Sequence, residues 1–283
     1  MTDSKARTPE DAAGAQQARA QDAPPAIDAA SPEDVATPAP WRIGPVAVTP
    51  LTGEAPLAIL ARAVATRAGL RLAYANAHTV VLADRDPAYA ETLSTFLVLP
   101  DGIGMDLAAR SLRGEAFPEN LNGTDFTPRL LAALPAGTRV FLLGGRPGVA
   151  AAAGEAWRRL GIDVVGARDG YFERVEHVAE EIEAAAPDVL LVAMGNPLQE
   201  HVIERVGEAA FVPLSIGVGA LFDFTAGLVP RAPLWVRRAR AEFLWRLAQE
   251  PRRLVSRYTV GVARFAGVVR RAKRPRNGTA VAR

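Results

Sequence analysis

The sequence contains no cysteine, which removes disulfide staples, thiolate metal sites and cysteine nucleophiles from consideration together. A reducing compartment fits that absence. No run of about 18 uninterrupted apolar residues occurs, so a membrane-spanning helix is not expected. The opening residues, MTDSKARTPEDAAGAQ, lack the apolar core of a signal peptide, and the expected location is the cytoplasm. Neither a G-x-G-x-x-G fingerprint nor a Walker A loop is present. The serines lack a nucleophile-elbow context, so a hydrolase triad is unsupported. No repeat recurs at a solenoid period. Among the three histidines, His177 and His201 sit on expected helices without a second histidine at metal-ligand spacing, and both read as structural.

Acid is also scarce where base is dense. Residues 231 to 283 hold fifteen Lys/Arg and two acids, a net of +13, whereas the preceding 230 residues hold 18 bases and 29 acids, a net of −11. A segment of that sign suits a polyanion, either a membrane leaflet or a nucleic acid. Residues 1 to 40 are rich in Ala, Pro, Asp, Gln and Ser and offer almost no large apolar side chain to offset ordering entropy, which predicts a disordered leader. Residues 273 to 283 are expected to be a disordered tail.

What is present between these ends is a chain of 283 residues with 49% hydrophobic content, ample for a buried core. Short apolar runs alternate with helical patterns from Trp41 onward. Strands are expected at Ile43 to Val48, Leu70 to Ala75, Phe96 to Leu99, Arg139 to Leu143, Ile162 to Gly166, Val189 to Met194 and Val212 to Ile216. Helices are expected at 56–68, 105–112, 126–134, 149–160, 175–185 and 199–207. This alternation predicts an α/β fold, a Rossmann-like, mostly parallel sheet with helices on both faces, spanning 41–230.

Polar and glycine-rich residues follow the apolar runs: Asn76-Ala77-His78, Asp101-Gly102, Gly144-Gly145, Asp169-Gly170, Gly195-Asn196-Pro197 and Gly217-Val218-Gly219. Ligands of open α/β sheets bind outside the carboxyl ends of strands, so these six loops line one candidate site of nucleotide size. Asp101, just past a strand and followed by two glycines, has the position of a base for an attacking hydroxyl, or of an N-cap. Asn122, Thr124 and Asp125 stand before a helix, where capping accounts for one of the three. Gly144 and Gly145 form a strand-to-helix turn whose free N–H groups suit a phosphate. In MGNPLQEH, Gly195 and Pro197 suit the start of a helix, and Gln199 offers the donor and acceptor that a uracil edge or sugar hydroxyl needs. Glu200 shares that first turn. Asp84-Arg85-Asp86 has the D-x-D spacing of a cation site, but the surrounding pattern reads as helix, turn and helix with Pro87 at a helix start, and no metal is expected.

In combination, NAHTVVLA, LPDGIG, NGTDF, FLLGGRPGVA, GNPLQE, IGVGALFDFTAG and VPRAP resemble the WecG/TagA/CpsF family of bacterial glycosyltransferases, glycosyltransferase family 26, over roughly residues 43–257. The resemblance implies an inverting, cofactor-free and metal-independent transfer from a UDP-sugar to a polyprenyl-diphosphate-linked sugar. By position, Asp101 matches the family's proposed base, Asn76, Gln199 and Glu200 match its donor pocket, and Arg231 begins its Arg-x-Pro element. His78 and Asp223 fall in the same motifs. Tyr74 and Asn120 depart from the family, standing where it often has Thr and Arg. The NAHT and NLNGTDF segments are similar to the exopolysaccharide branch, which includes a xanthan-type glucosyltransferase, so UDP-glucose and UDP-N-acetylmannosamine types both stand as donors.

Residues 231–272 are expected to form a basic helical appendage that closes the site and meets the membrane. Arg246, Arg253, Arg257, Arg264 and Arg271 fall within about 20° of one helical line, with Leu254, Tyr258, Val262, Phe265 and Val269 as apolar surface alongside. The expected location is therefore peripheral on the inner face of the plasma membrane. No nucleic-acid partner is expected, because one would leave the six loops without a role. A homo-oligomer is compatible with this picture. The competing classes are a Rossmann-type oxidoreductase and a non-catalytic membrane- or nucleic-acid-binding module.

Overall fold

The first strand expected in the core, Ile43 to Val48, is instead a hairpin outside the main sheet. Gly44 takes φ +62°, and Pro45 follows it, so the chain reverses between β1 (Trp41–Ile43) and β2 (Val46–Val48). The two pair antiparallel with Trp41 opposite Val48. The structure, a computed structural model, describes residues 37–230, 245 and 251–273, with side chains of the last stretch from 261 onward. The expected leader before residue 37, Arg231, Arg237, Arg238, Arg240 and Arg246, the side chains of Arg253, Leu254, Arg257 and Tyr258, and the expected tail beyond 273 lie outside the described residues.

After the hairpin come α1 (Ala55–Ala65), β3 (Leu70–Ala75), α2 (Ala77–Arg85), α3 (Pro87–Ser94), β4 (Leu97–Pro100), α4 (Ile103–Arg113) and α5 (Gly123–Ala133). The second half runs β5 (Arg139–Gly144), α6 (Val149–Arg158), β6 (Asp163–Arg168), α7 (Val175–Ala185), β7 (Val189–Ala193), α8 (Leu198–Ala209), β8 (Leu214–Gly217) and α9 (Leu221–Thr225). The last described element is α10 (Pro251–Lys273).

Six strands form one sheet in the order β4-β3-β8-β7-β5-β6, and every neighbouring pair is parallel. The chain builds outward from β3 to β4 and from β5 to β6, then fills the middle with β7 and β8. All six carboxyl ends therefore lie along one edge, and the order reverses near its centre, where open α/β sheets hold ligands. The alternation of side chains across the pleat separates two cores. Leu72 and Tyr74 of β3 face α1, α5, α6 and α9. Ala73 and Ala75 face α2, α3, α4, α7, α8 and α10. Covered on both faces, β7 is buried at all five positions, which explains its unbroken VLLVA run.

α10 modifies the expectation of a helix lying on a membrane. Phe265, Val268 and Val269 are buried in the core on the α2 and α4 side, so Phe265 and Val269 are interior residues rather than an outward apolar surface. Phe265 fits where α4 and α2 begin: a Cβ added to Gly104 would lie 3.3 Å from Ala77 Cβ and 3.7 Å from the Phe265 ring. Six residues on, Arg271 donates to Asp84 Oδ2 at 2.6 Å near the end of α2. The two helices therefore run side by side in the same direction. Replacing Phe265 with Ala should leave a cavity and lower the unfolding free energy by about 3 kcal/mol, measured by denaturant titration of the full chain.

Candidate active site

The six loops chosen from the sequence all meet at the carboxyl edge. At its centre, β7 ends at Ala193 and the chain turns through Gly195, at φ +76°, and a cis Asn196–Pro197 bond into α8. Pro197 is the N-cap of α8 rather than its first helical residue. Helical spacing then places Gln199 with Val202, Ile203 and Val206 on the buried face. Both Gln199 and Glu200 point inward, at 3% and 0% exposure. The signal was available, since 199, 202, 203 and 206 follow the i, i+3, i+4, i+7 pattern of a core face.

Gln199 instead ties two strand-end loops together. Its Oε1 accepts from Gly195 N at 3.1 Å and from Gly219 N at 3.0 Å. Its Nε2 donates to Glu200 Oε1 at 2.7 Å. The β8 end must come close for this to happen: a Cβ on Gly217 would lie 2.7 Å from Gln199 Nε2 and 3.2 Å from Glu200 Oε1. Glu200 carries the network onward. Asn196 Nδ2 donates to its Oε1 at 2.7 Å, and Tyr89 Oη donates to its Oε2 at 3.2 Å. Tyr89 lies on α3 and stacks edge-on against His201, 5.8 Å between centroids. His201 is thus part of the packing, as expected.

Burial dominates the electrostatics of this cluster. Desolvation pushes the Glu200 carboxyl up to about 7, because the hydrogen bonds from Gln199, Tyr89 and Asn196 only partly offset the loss of water. The Tyr89 phenol is pushed up as well, first by burial and then by the Glu200 charge.

At the other end of the edge, Asp101 N donates to Ala75 O at 2.9 Å, so the β4 loop is pinned against the end of β3. Asp101 is half-buried. Asn120, one of the two departures from the family pattern, holds this loop. Its Oδ1 accepts from Gly102 N at 2.9 Å and its Nδ2 donates to Asp106 Oδ2 at 3.4 Å. Tyr74, the other departure, is buried and bonded to Thr127 Oγ1 at 3.0 Å. Burial raises its pKa, and the Asp101 charge raises it further.

The remaining expected residues divide into caps and open positions. Asn76 Oδ1 accepts from His78 N at 2.9 Å and Thr79 N at 3.2 Å, capping α2. Asn122 Oδ1 caps α5 by accepting from Thr124 N at 2.8 Å, and Asp125 is exposed in that first turn. Gly144 and Gly145 lie against β7, where Gly145 N donates to Ala193 O at 2.9 Å. That amide is therefore not open to a phosphate, and a side chain at Gly144 would collide with the Ala193 carbonyl. The next residue, Arg146, is exposed at this edge; its place inside GGRPG was the signal for it. Asp223 is half-buried in the first turn of α9, just past β8. Arg231 lies outside the described residues.

Asp84 and Asp86 are committed elsewhere, Asp84 to Arg271 and Asp86 to Ala88 N and Tyr89 N as the cap of α3. The helix, turn and helix reading of that segment holds. Among the described residues no group of three His, Asp or Glu side chains is placed to hold a metal ion. A separate groove of about 290 Å³ opens at the amino edge beside Pro128, Leu131, Trp157 and Ile162, with Asp163 as its carboxylate.

A linkage consequence follows from Glu200. Its folded value of about 7 lies above the ordinary 4.5, so between these the folded state holds a proton that the unfolded state has released. The site's contribution to stability is fully present below about 4.5, falls as pH rises to about 7, and is level above that. In Glu200→Gln this slope should vanish, so chemical denaturation should find the wild type losing ground to the variant across that window.

The glycosyl transferase WecG/TagA/CpsF family matches residues 41–279 of the chain. A relative from Bacillus spizizenii (strain ATCC 23059 / NRRL B-14472 / W23) is 34% identical over 189 residues, covering 65% of this chain and 73% of the relative. One from Bacillus subtilis (strain 168) is 32% identical over 189 residues with the same coverage. Both are named N-acetylglucosaminyldiphosphoundecaprenol N-acetyl-beta-D-mannosaminyltransferase. With its parallel sheet, its row of strand-end loops and a match across most of its length, the chain belongs to the WecG/TagA/CpsF family of glycosyltransferases.

Proposed function

We propose that the protein is an inverting, metal-independent hexosyltransferase that uses a UDP-sugar donor and a polyprenyl-diphosphate-linked sugar acceptor in surface polysaccharide assembly. The observation that carries this reading is the single edge on which Asp101 and the clamped Gly195–Gly219 loops stand. β4 and β7 are three strand spacings apart, about 14 Å, a span suited to an extended nucleotide sugar. Asp101 takes the proton of the acceptor hydroxyl as its oxygen bonds to the anomeric carbon. The bond from that carbon to the diphosphate breaks on the opposite side, and UDP leaves with the electron pair. Positive charge for the departing diphosphate comes from arginines: Arg146 at the edge and the segment beginning at Arg231.

Metal independence is supported by the engagement of Asp84 and Asp86 in an ion pair and a helix cap. The acceptor class is supported by the relatives' names, which specify an N-acetylglucosaminyldiphosphoundecaprenol acceptor and favour an N-acetylmannosaminyl donor. Asn76, His78, Asn122, Thr124, Asp125, Gly195, Pro197 and Asp223 surround the donor, with Gln199 and Glu200 holding the loops from behind and Gly144 and Gly145 shaping the wall. No helix among the described residues is long and apolar enough to cross a membrane; contact with the lipid-linked acceptor is therefore peripheral, on the inner face of the plasma membrane, through residues 231–272.

Purified protein incubated with a lipid-linked N-acetylglucosamine acceptor and either UDP-N-acetylmannosamine or UDP-glucose should release UDP with one of them, and EDTA should not change the rate. Asp101→Asn should lower turnover by about a hundredfold or more with folding intact. Transfer abolished by EDTA would contradict metal independence, and full turnover in Asp101→Asn would contradict the base.

A further inference from the structure

Tyr89 is completely buried, and its hydroxyl ends among the side chains that hold the Gly195 turn. That hydroxyl donates to Glu200 Oε2 at 3.2 Å and accepts from Asn196 Nδ2 at 3.3 Å. It therefore meets both the carboxyl behind the clamp and the side chain of the turn itself. Its ring is placed from the backbone up. Asp86 Oδ1 accepts from Tyr89 N at 3.3 Å, fixing the first turn of α3, and His201 of α8 meets the ring edge-on. Asp86, singled out in the sequence for its D-x-D spacing, thus helps to hold a phenol in place.

We propose that Tyr89 is a positioning residue for the donor, acting through Glu200 and Asn196 to hold the Gly195 turn, and that the turn loosens when Glu200 is protonated. The part played by that turn in holding the donor rests on the function proposed above. Every donor around Glu200 suits its anion. Oε1 receives Gln199 Nε2 and Asn196 Nδ2, each at 2.7 Å, and Oε2 receives the phenol. A proton has no free place on Oε1; on Oε2 it points at Tyr89 Oη, and the phenol must turn its own hydrogen away. Burial pushes the carboxyl up to about 7, so this rearrangement falls in the neutral range. The other ionisable groups nearby are accounted for. His201 and Glu204 of α8 share the Thr92 hydroxyl of α3, at 3.4 and 3.0 Å. α2 carries half-buried His78 at its start, the Asp84–Arg271 pair near its end and exposed Arg85. The buried residues of α7 are apolar, and its Glu176 pairs with Arg205 on the outside. β2, β7 and β8 carry no ionisable side chain.

The test compares the full chain with Tyr89→Phe, which removes one oxygen and keeps the packed ring, and with Glu200→Gln, which keeps the shape of the carboxyl without its charge. Glu200→Gln retains His78, His201 and the terminal phosphate of the UDP probe, so it gives the reference curve for everything else that titrates. By calorimetry, the wild type should bind UDP roughly three- to tenfold more tightly than Glu200→Gln above pH 7, the two converging as pH falls below it. Tyr89→Phe should meet the Glu200→Gln curve at a higher pH than the wild type does, because its carboxylate has lost a donor. In turnover it should raise KM for the UDP-sugar, with kcat at saturating donor within about twofold. Amide exchange of the ligand-free chain supplies a second readout. Above pH 7, protection of the 195–199 peptide should be lower in Tyr89→Phe than in the wild type, with β5 and α6 unchanged. Wild-type protection of that peptide in Tyr89→Phe would overturn the proposal, as would a UDP affinity equal to the wild type's at every pH. Lower kcat with unchanged KM, or protection lost evenly along the chain, would overturn it too. If none of the three proteins binds UDP while the 195–199 protection changes as expected, the hold on the turn stands and the proposed function falls.

Discussion

The site depends on one carboxamide. Gln199 is the only described link that holds the β7 and β8 loops by side chain, and it does so by accepting two backbone N–H groups at 3.1 and 3.0 Å while donating to Glu200. These loops stand at the middle of the sheet, where the strand order reverses. Without a buried acceptor between them, two backbone donors near the edge would need other partners, each worth on the order of 1–3 kcal/mol if left unsatisfied. The glycine at 217 belongs to the same constraint, since a side chain there would occupy the space of the carboxamide.

Glu200 extends this constraint from the loops to the flanking helix. Through Tyr89 and Asn196 it connects α3, α8 and the turn between β7 and α8. A carboxyl group in that position is costly as an anion, and its raised pKa is the measure of that cost. At the β4 end Asn120 has the corresponding task, fixing the Asp101–Gly102 turn to the first stretch of α4. The carboxyl edge is therefore supported from two sides by amides and from below by buried helices, an arrangement in which backbone geometry rather than long flexible side chains sets the position of Asp101.

Much of this organisation is legible in the sequence. Leu70–Ala75 and Val175–Ala185 are found at the bounds their apolar patterns indicate, and all six polar loops fall on the carboxyl edge because every strand of the sheet is parallel. Legibility ends where tertiary packing chooses between two faces. Gln199 and Glu200 carry polar groups that suit a ligand or a buried network equally well, and the bond from the neighbouring β8 loop is what reveals the network. The Ile43–Val48 run is apolar enough for a core strand, yet Gly44 and Pro45 fold it into a hairpin. In α10 the arginine line is visible in the sequence, but which apolar residues turn inward depends on the gap above Gly104 and Gly44. Asn120 is legible only as a departure from the family pattern, since its bonds join segments 14 and 18 residues apart.

Amide hydrogen exchange of the full chain with and without UDP tests whether the donor lies across the carboxyl edge between the β4 loop and the Gln199 clamp. Added protection is expected in peptides covering 76–79, 101–104, 195–199 and 217–220, with no change around Pro128, Trp157 and Ile162. Protection confined to that amino-edge groove, with the four carboxyl-edge peptides unaltered, would contradict it.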